Sequence, residues 1–429
     1  MRIEGIERVG GHLQIGGCDT TELAKEYGTP LYIMNEDTIR KNCRKFKQSI
    51  ENYYQGNGIV TYTSKAFVCK EMCRLIMSEG LDLEVVSAGE LYTALEAGVP
   101  PEIIHFQGNN KSYKELEMAI DNAVGDIVLD NYSELMRIQQ LLENRDKEIK
   151  ISIRVKPGID AHTHELIRTG AIDSKFGVAL ETGEAYRMVQ RISGMKNIRL
   201  MGLHCHIGSQ IMDTEPFVLA AEVMLGFYGK LKKELGIELP MLNLGGGFGI
   251  PYVETDKAVS YDEYMAKVSV RIHALCREYG LAVPKIVIEP GRSIVGEAGI
   301  TLYTVGDVKE IPGVRNYVAI DGGMFENPRY SLYRAQYDCV VASRADEDED
   351  YTATIAGKCC ETDLIQEHVS IAKPRVGDIL AVLCTGGYNY SMASNYNRNP
   401  RPPVIMVSKG KSRVAVRGET YADLISHDV

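Results

Sequence analysis

The stretch Ile286-Val-Ile-Glu-Pro-Gly-Arg292 decides how this chain folds. Three apolar, β-branched residues make a run too short for a helix, and a Pro-Gly turn closes it, which reads as a strand buried on both faces. The segment ahead of it, Tyr261–Tyr279, carries helical periodicity. Working outward, the same couplet recurs from about residue 59 to residue 292. The short runs are Ile59–Thr63, Leu83–Ser87, Ile103–Phe106, Asp126–Asp130, Ile151–Val155, Leu200–His206, Met241–Leu244 and Ile286–Glu289. Helical segments between them include Ala66–Glu79, Tyr113–Asn122, Ser133–Glu143, Thr182–Ile192 and Pro216–Leu235, the last with Pro216 near its start and Gly236 just past its end, the usual helix punctuation. Near-continuous apolar strands alternating with helices imply a parallel sheet covered by helices. Eight such units over about 240 residues fit an α/β fold of the (β/α)8, TIM-type barrel class. An open doubly wound sheet is the alternative that pattern alone leaves standing.

Beyond residue 295 the period changes. Thr301–Val308, Asn316–Asp321, Tyr351–Ala356, Asp378–Val382, Val404–Val407 and Arg413–Val416 are short and strand-like, with no long helix between them. This predicts an all-β domain, a β-barrel or sandwich, which the alternating N-terminal stretch Glu7–Ile15 is expected to join. The predicted organisation is a barrel over 36–294 and a β domain made of 1–35 and 295–429. The acidic run Asp346–Asp350 reads as a solvated loop.

Composition bounds the function. Of 429 residues, 48 are Lys or Arg and 58 are Asp or Glu, a formal net charge of −10, which disfavours non-specific binding to nucleic acid or to anionic membranes. No apolar run approaches the length of a membrane span, and the first residues, interrupted by Glu4 and Glu7, lack the apolar core of a secretory signal. Ten cysteines in so long a chain are too sparse for a disulfide scaffold. A reducing, cytoplasmic location with free thiols is expected. Two His-x-His pairs, His162/His164 and His204/His206, could each present two ligands on one strand face. No nearby spacing supplies a third and fourth ligand, so no metal is expected.

In a (β/α)8 barrel the chemistry lies at the C-terminal strand ends. Those ends carry Lys65, Ser87, Asn109, Asn110, Arg154, His206 with Ser209, Gly245-Gly246-Gly247, and Glu289-Pro290-Gly291-Arg292. The triple glycine is either a tight strand-to-helix turn or a cradle that lets backbone N–H groups approach an anion. With Gly291-Arg292 ending the neighbouring strand, the last two strands offer amides and a guanidinium to one spot, where barrel phosphate sites are often built. Lys65 is either a solvated charge or the amine that forms a Schiff base with a carbonyl cofactor or substrate. Glu289 is either the partner of a barrel arginine or the carboxylate that holds a protonated ring nitrogen. His206 is either a hydrogen-bonded core histidine or a base or flat surface against a ring.

Taken in order, these and further motifs resemble the fold-type III pyridoxal-phosphate decarboxylases, in particular those acting on diaminopimelate. The resemblance runs from Tyr27-Gly-Thr-Pro-Leu31 to Tyr396-Asn397. It includes Tyr62-Thr-Ser-Lys65-Ala66, Gly108-Asn-Asn-Lys111, His162-Thr-His-Glu165, His204-Cys-His-Ile-Gly-Ser209 and Gly245-Gly-Gly-Phe-Gly249. It continues through Glu289-Pro-Gly-Arg292, Asp321-Gly-Gly-Met324, Arg329-x3-Tyr333, Cys360-Glu361 and Gly387-Tyr388.

The resemblance implies a carboxy-lyase that converts meso-2,6-diaminopimelate to L-lysine and CO2, the last step of lysine biosynthesis. A decarboxylase of ornithine, lysine or arginine type is the alternative. It further implies that Lys65 carries pyridoxal 5'-phosphate, that His206 lies against the cofactor ring and that Glu289 pairs with the ring nitrogen. Ser209, Gly245, Gly246, Gly247, Pro290, Gly291, Arg292 and Tyr388 would complete the cofactor site. Arg292, Arg329 and Tyr333 would hold the substrate's distal carboxylate, Glu361 its second amine, and Tyr388 would also belong to the substrate site. Cys360 would be the general acid, entering with Glu361 from the partner subunit of a homodimer, and an ordinary thiol is protonated at neutral pH as that role needs. The chain departs from the family pattern at Cys360-Glu-Thr-Asp363, which lacks a glycine, at Arg329-Tyr330, at Thr385-Gly-Gly-Tyr388 and at Glu84, where Asp is usual.

Overall fold

The computed structural model describes residues 3–143, 145–159 and 173–429. The His162/His164 pair and the motif His162-Thr-His-Glu165 lie outside these residues. The chain divides into two compact units. One comprises Cys43–Gly249 and Lys257–Gly291; the other comprises Met1–Asn42, Ile250–Asp256 and Arg292–Val429.

The first unit is a closed parallel barrel. Its eight strands are Gly58–Thr63, Asp82–Val85, Ile104–Phe106, Asp126–Leu129, Ile149–Lys156, Ile198–His204, Met241–Asn243 and Lys285–Ile288. Each pairs in parallel with the next. The eighth returns to the first, with Ile286 opposite Gly58 and Ile288 opposite Val60. That last pairing removes the open-sheet alternative, because an open sheet has two unpaired edges. The strands are short and nearly all buried, as expected of a sheet covered on both faces.

The covering helices include Lys70–Ser78, Ala88–Glu96, Tyr113–Asp121, Tyr132–Leu142, Glu184–Ser193, Glu215–Leu235 and Tyr261–Tyr279. Several start on side chains that end the preceding strand region. Ser87 Oγ accepts from Glu90 N at 3.2 Å, Asn131 Oδ1 from Glu134 N at 3.0 Å, and Ser112 forms a reciprocal capping box with Glu115. Part of the polarity at the strand ends is therefore helix capping rather than chemistry, and Ser87 belongs to that part.

The second unit contains two sheets. The larger runs in the order Leu364–Ile371, Tyr351–Ala356, Arg315–Ile320, Gly299–Ile311, Leu31–Asn35, Val404–Ser408 and Lys411–Val416, with Ile379–Val382 also on Gly299–Ile311. Two of its strands, Cys339–Val341 and Leu364–Ile371, and the N-terminal strand Leu31–Asn35 are absent from the sequence reading. The stretch Glu7–Ile15 does not enter this sheet. It forms a hairpin, Ile6–Val9 against His12–Ile15, in a separate three-stranded sheet. The acidic run is anchored to that hairpin rather than merely solvated: Asp346 Oδ2 accepts from Gly11 N at 3.0 Å, and Glu349 pairs with Arg8. Among the described residues no helix is long and apolar enough to cross a membrane, and all ten cysteines are unbridged.

The two compact units meet at 43 and 291 in the chain, against bounds of 36 and 294 expected from the sequence. The division also transfers Ile250–Asp256, the chain just past the triple glycine, to the β unit. A loop that leaves one unit to join another carries no composition signal, which is why the sequence reading missed it.

Candidate active site

The barrel unit gathers ionisable side chains at the C-terminal ends of its strands. Lys65 sits in a single 3-10 turn, Ser64–Ala66, directly after the first strand. Its Nζ is 3.9 Å from Glu84 Oε1, and its side chain is 43% exposed while that of Glu84 is 2% exposed. The lysine is thus reachable although its counter-ion is buried. Glu84, on the second strand, accepts from Thr63 Oγ1 at 2.6 Å. Burial raises its pKa, Lys65 opposes that shift, and the nearby Glu289 adds to it.

Glu289 follows the eighth strand and is buried. Its carboxylate takes three donors from three different strand ends. His204 Nε2 is 3.0 Å from Oε2, Asn243 Nδ2 2.7 Å from Oε1, and Gln107 Nε2 2.5 Å from Oε1. Burial alone would push this carboxyl up, but His204 and Asn243 outweigh it and hold it well below the usual carboxylate range. The arginine partner, one of the two alternatives open from the sequence, is absent from this set, and the pairing is with His204.

His204 is spent on Glu289, and among the described residues no three His, Cys, Asp or Glu side chains are placed to hold a metal ion. His206 is half-buried. Desolvation, together with the positive fields of Lys65, Arg154 and His204, drives its pKa well down, so its ring is neutral at neutral pH. A neutral, flat imidazole of depressed basicity suits contact with an aromatic ring better than proton abstraction, for which it is a weak base.

The triple glycine answers to backbone geometry. Gly245 and Gly247 have φ of +70° and +105°, and a Cβ on Gly246 would lie 2.0 Å from the Glu289 carbonyl oxygen. The turn therefore demands glycine with or without a phosphate. Gly291 packs against the Lys65 loop, where a Cβ would meet Ala66 Cβ and Thr63 Cβ at 3.1 Å each. Pro290 O accepts from Thr63 N at 3.1 Å. Ser209 is half-buried in the loop after the sixth strand.

The remaining predicted residues lie in the β unit. Arg292 and Arg329 are buried, 8% and 6% exposed. Arg292 Nη1 donates to Tyr252 Oη at 2.5 Å, and its guanidinium lies over the Tyr388 ring at 4.6 Å. Arg329 Nη1 donates to Tyr337 Oη at 2.8 Å. Tyr333, half-buried, closes the short helix Arg329–Tyr333. Cys360 is exposed, its N donating to Asn397 Oδ1 at 3.0 Å, while Glu361 Oε1 accepts from Tyr396 Oη at 2.8 Å. The loop that lacks a glycine is pinned by Asp363, which is buried and accepts from Met324 N at 2.7 Å and Cys359 N at 2.9 Å. The departure at Tyr330 is likewise absorbed: that ring is buried and its hydroxyl bonds Glu367.

The sequence reading missed His204 as the partner of Glu289, and with it Gln107 and Asn243. Each stands at or just past the end of a short barrel strand, and that position is the one signal it offers. Tyr252 and Tyr337 gave no signal at all.

A reachable lysine beside a barrel strand end, a buried carboxylate kept anionic, and a neutral imidazole form a donor set that fits a carbonyl-bearing, nitrogen-containing aromatic cofactor. Barrel fold and donor set together define a pyridoxal-dependent decarboxylase. The family model "Pyridoxal-dependent decarboxylase, pyridoxal binding domain" matches residues 36–296, and the chain belongs to that family. Within it, the chain is 47% identical over 423 residues to the diaminopimelate decarboxylase of Bacillus subtilis, covering 98% of this chain and 95% of that one. It is 48% identical to the diaminopimelate decarboxylase of Bacillus methanolicus, covering 97% of each. A crystal structure of diaminopimelate decarboxylase from M. jannaschii superposes with a TM-score of 0.92 at 34% identity, covering 99% of this chain and 98% of that one. The same protein is also known in complex with L-lysine.

Proposed function

We propose that this protein decarboxylates meso-2,6-diaminopimelate to L-lysine and CO2, with pyridoxal 5'-phosphate held by the barrel unit. Near-half identity along almost the whole of relatives that carry this name is the observation that carries the substrate. The charge complement of the β unit agrees with it. A diamine needs only an anion at its far end, whereas diaminopimelate needs cations for a second carboxylate and an anion for a second amine. Arg292, Arg329 and Tyr333 supply the first and Glu361 the second, and arginine–carboxylate pairs are strong and geometrically selective.

When bound, pyridoxal phosphate supplies the electron sink for the pair left behind by departing CO2. The protein's own contributions are these. Lys65 offers its amine, and Glu84 balances the charge of that amine without blocking access to it. Glu289, kept anionic, stabilises a proton on the cofactor's ring nitrogen, and His206 presents a neutral flat face. Ser209, the Gly245–Gly247 turn, Gly291 and Tyr388 would surround the phosphate. Cys360 returns a proton to the carbon that lost CO2. In our reading Cys360 and Glu361 serve the partner subunit's site in a homodimer, and the exposure of Cys360 supports that role. A reducing cytoplasm keeps this thiol usable.

The test is purified protein, its visible absorbance and a substrate panel. The expected result is a visible cofactor band that Lys65→Ala lacks, with lysine and CO2 formed from meso-diaminopimelate and no CO2 from lysine, ornithine or arginine. CO2 from a basic amino acid at comparable kcat/KM would replace the substrate assignment. A protein that takes up no pyridoxal phosphate would end the reading.

A further inference from the structure

We infer that Tyr252 is the positioning residue that gives this enzyme its preference for a substrate with a second carboxylate. The inference rests on the function proposed above and names a determinant within it. Tyr252 lies in Ile250–Asp256, the segment that departs from the barrel sequence to join the β unit, and it is 5% exposed. Its hydroxyl takes the hydrogen bond from Arg292 Nη1 at 2.5 Å. Its ring carries the Arg329 guanidinium, with Cζ 4.6 Å from the centroid, and stands edge-on to Tyr337 at 5.7 Å and 81°. One phenol thus contacts both buried arginines, one through its oxygen and one through its π face.

Two guanidiniums gathered on one ring repel each other, and burial makes each costly. Among the described residues Arg329 has no carboxylate partner; its contacts are phenols, and its buried Nε has no hydrogen-bond partner. Phenols solvate a guanidinium partly, by hydrogen bonding and by the ring quadrupole, without neutralising it. The pairing capacity is therefore kept for an incoming carboxylate. Two cations set by one rigid ring make a fork whose spacing the substrate does not have to organise, which favours binding by pre-organisation. An amine arriving at the same place meets the charge of Arg329, which no carboxylate among the described residues offsets, and is rejected.

The experiment compares wild type, Tyr252→Phe and Tyr252→Leu as holoenzymes. Tyr252→Phe keeps the ring and removes the hydrogen bond to Arg292; Tyr252→Leu removes both contacts. The expected result is a KM for meso-diaminopimelate raised about 10-fold in Tyr252→Phe, the scale of a lost charged hydrogen bond, and further in Tyr252→Leu. The change in kcat should be smaller, with cofactor absorbance and thermal midpoint preserved. Inhibition by a plain dicarboxylate such as pimelate should weaken in parallel, and inhibition by a monocarboxylate should not. Unchanged KM and pimelate inhibition in Tyr252→Phe would overturn the inference, as would a uniform loss of kcat with cofactor content. Wild type that does not act on diaminopimelate would instead overturn the proposed function, so the two failures are distinct.

Discussion

The Nε2 atom of His204 lies 3.0 Å from Oε2 of Glu289, and both side chains are buried. The carboxylate that resembles a cofactor partner by sequence is thus itself held by a residue two positions before the expected ring-stacking histidine. An anion in this interior survives because three donors offset its desolvation.

Replacing His204 should release that hold. In His204→Leu, burial is opposed by the hydrogen bonds of Asn243 and Gln107, so the Glu289 carboxyl moves upward from its depressed position. A depressed carboxyl carries its charge down to low pH and loses it only as pH falls through the folded-state value. Raising that value brings the loss toward neutrality. The acid limb of kcat against pH should therefore shift upward, with turnover reduced roughly 10-fold or more at neutral pH. An unshifted acid limb would mean that His204 does not control this carboxylate.

Cys360→Ala should leave a folded protein with normal cofactor absorbance and turnover slowed by about 10²–10⁴, the range of a lost general acid. Mixing it with Lys65→Ala tests the shared site. Mixed dimers assemble one pocket that has both groups, so activity should return on mixing two inactive proteins. Two silent variants that stay silent after mixing would place the thiol in its own subunit's pocket or outside catalysis.

Gly246→Ala should lose cofactor more than fold. The added methyl would meet the Glu289 carbonyl oxygen at 2.0 Å, so the turn after the seventh strand and the start of Glu289-Pro-Gly must separate. Cofactor affinity measured by absorbance titration should fall at least about 10-fold, the effect of a small misplacement at a pre-organised site. Wild-type affinity in a correctly folded variant would show that the turn is not part of the cofactor site.

A separate cluster at the N-terminal ends of the barrel strands governs stability against pH. His105 Nε2 lies 2.8 Å from Asp82 Oδ2, and Nδ1 lies 3.9 Å from Asp126 Oδ2. Burial works against the charged ring, but Asp126 as a close negative charge and Asp82 as a hydrogen-bond acceptor raise its pKa to about 10. A raised folded-state value means that the folded protein holds a proton the unfolded chain releases near the ordinary histidine value of about 6.5. The stabilisation is complete below that point and is lost as pH rises through about 10. Urea midpoints of wild type and His105→Asn should therefore differ most at pH 6 and converge by pH 10. A gap independent of pH would remove the charged histidine from the account.

The barrel was legible because its cause is local. A strand buried on both faces must be apolar throughout, a covering helix must be amphipathic, and both periods are written in consecutive residues from Ile59 to Arg292. Lys65, His206 and Glu289 were legible for a related reason: each stands where an apolar run stops, and the fold places all such stops at one rim. The strand Leu31–Asn35 was harder to see, since its partners Gly299–Ile311 and Val404–Ser408 lie far along the chain, and Leu364–Ile371 was hidden because Gln366, Glu367 and His368 in succession break its alternation. Ser87 misled, because a polar residue at a strand end serves equally well as a helix cap.

By itself the sequence determined the alternation of strands and helices, the polar rim and the residue types that chemistry there requires, because each depends on neighbours a few positions apart. Only the tertiary structure decided that the sheet closes, that His204 rather than an arginine holds Glu289, and that Tyr252 joins Arg292 and Arg329. Those pairings join residues 40 to 228 positions apart, and burial, which sets their charge states, belongs to the folded surroundings rather than to any stretch of chain.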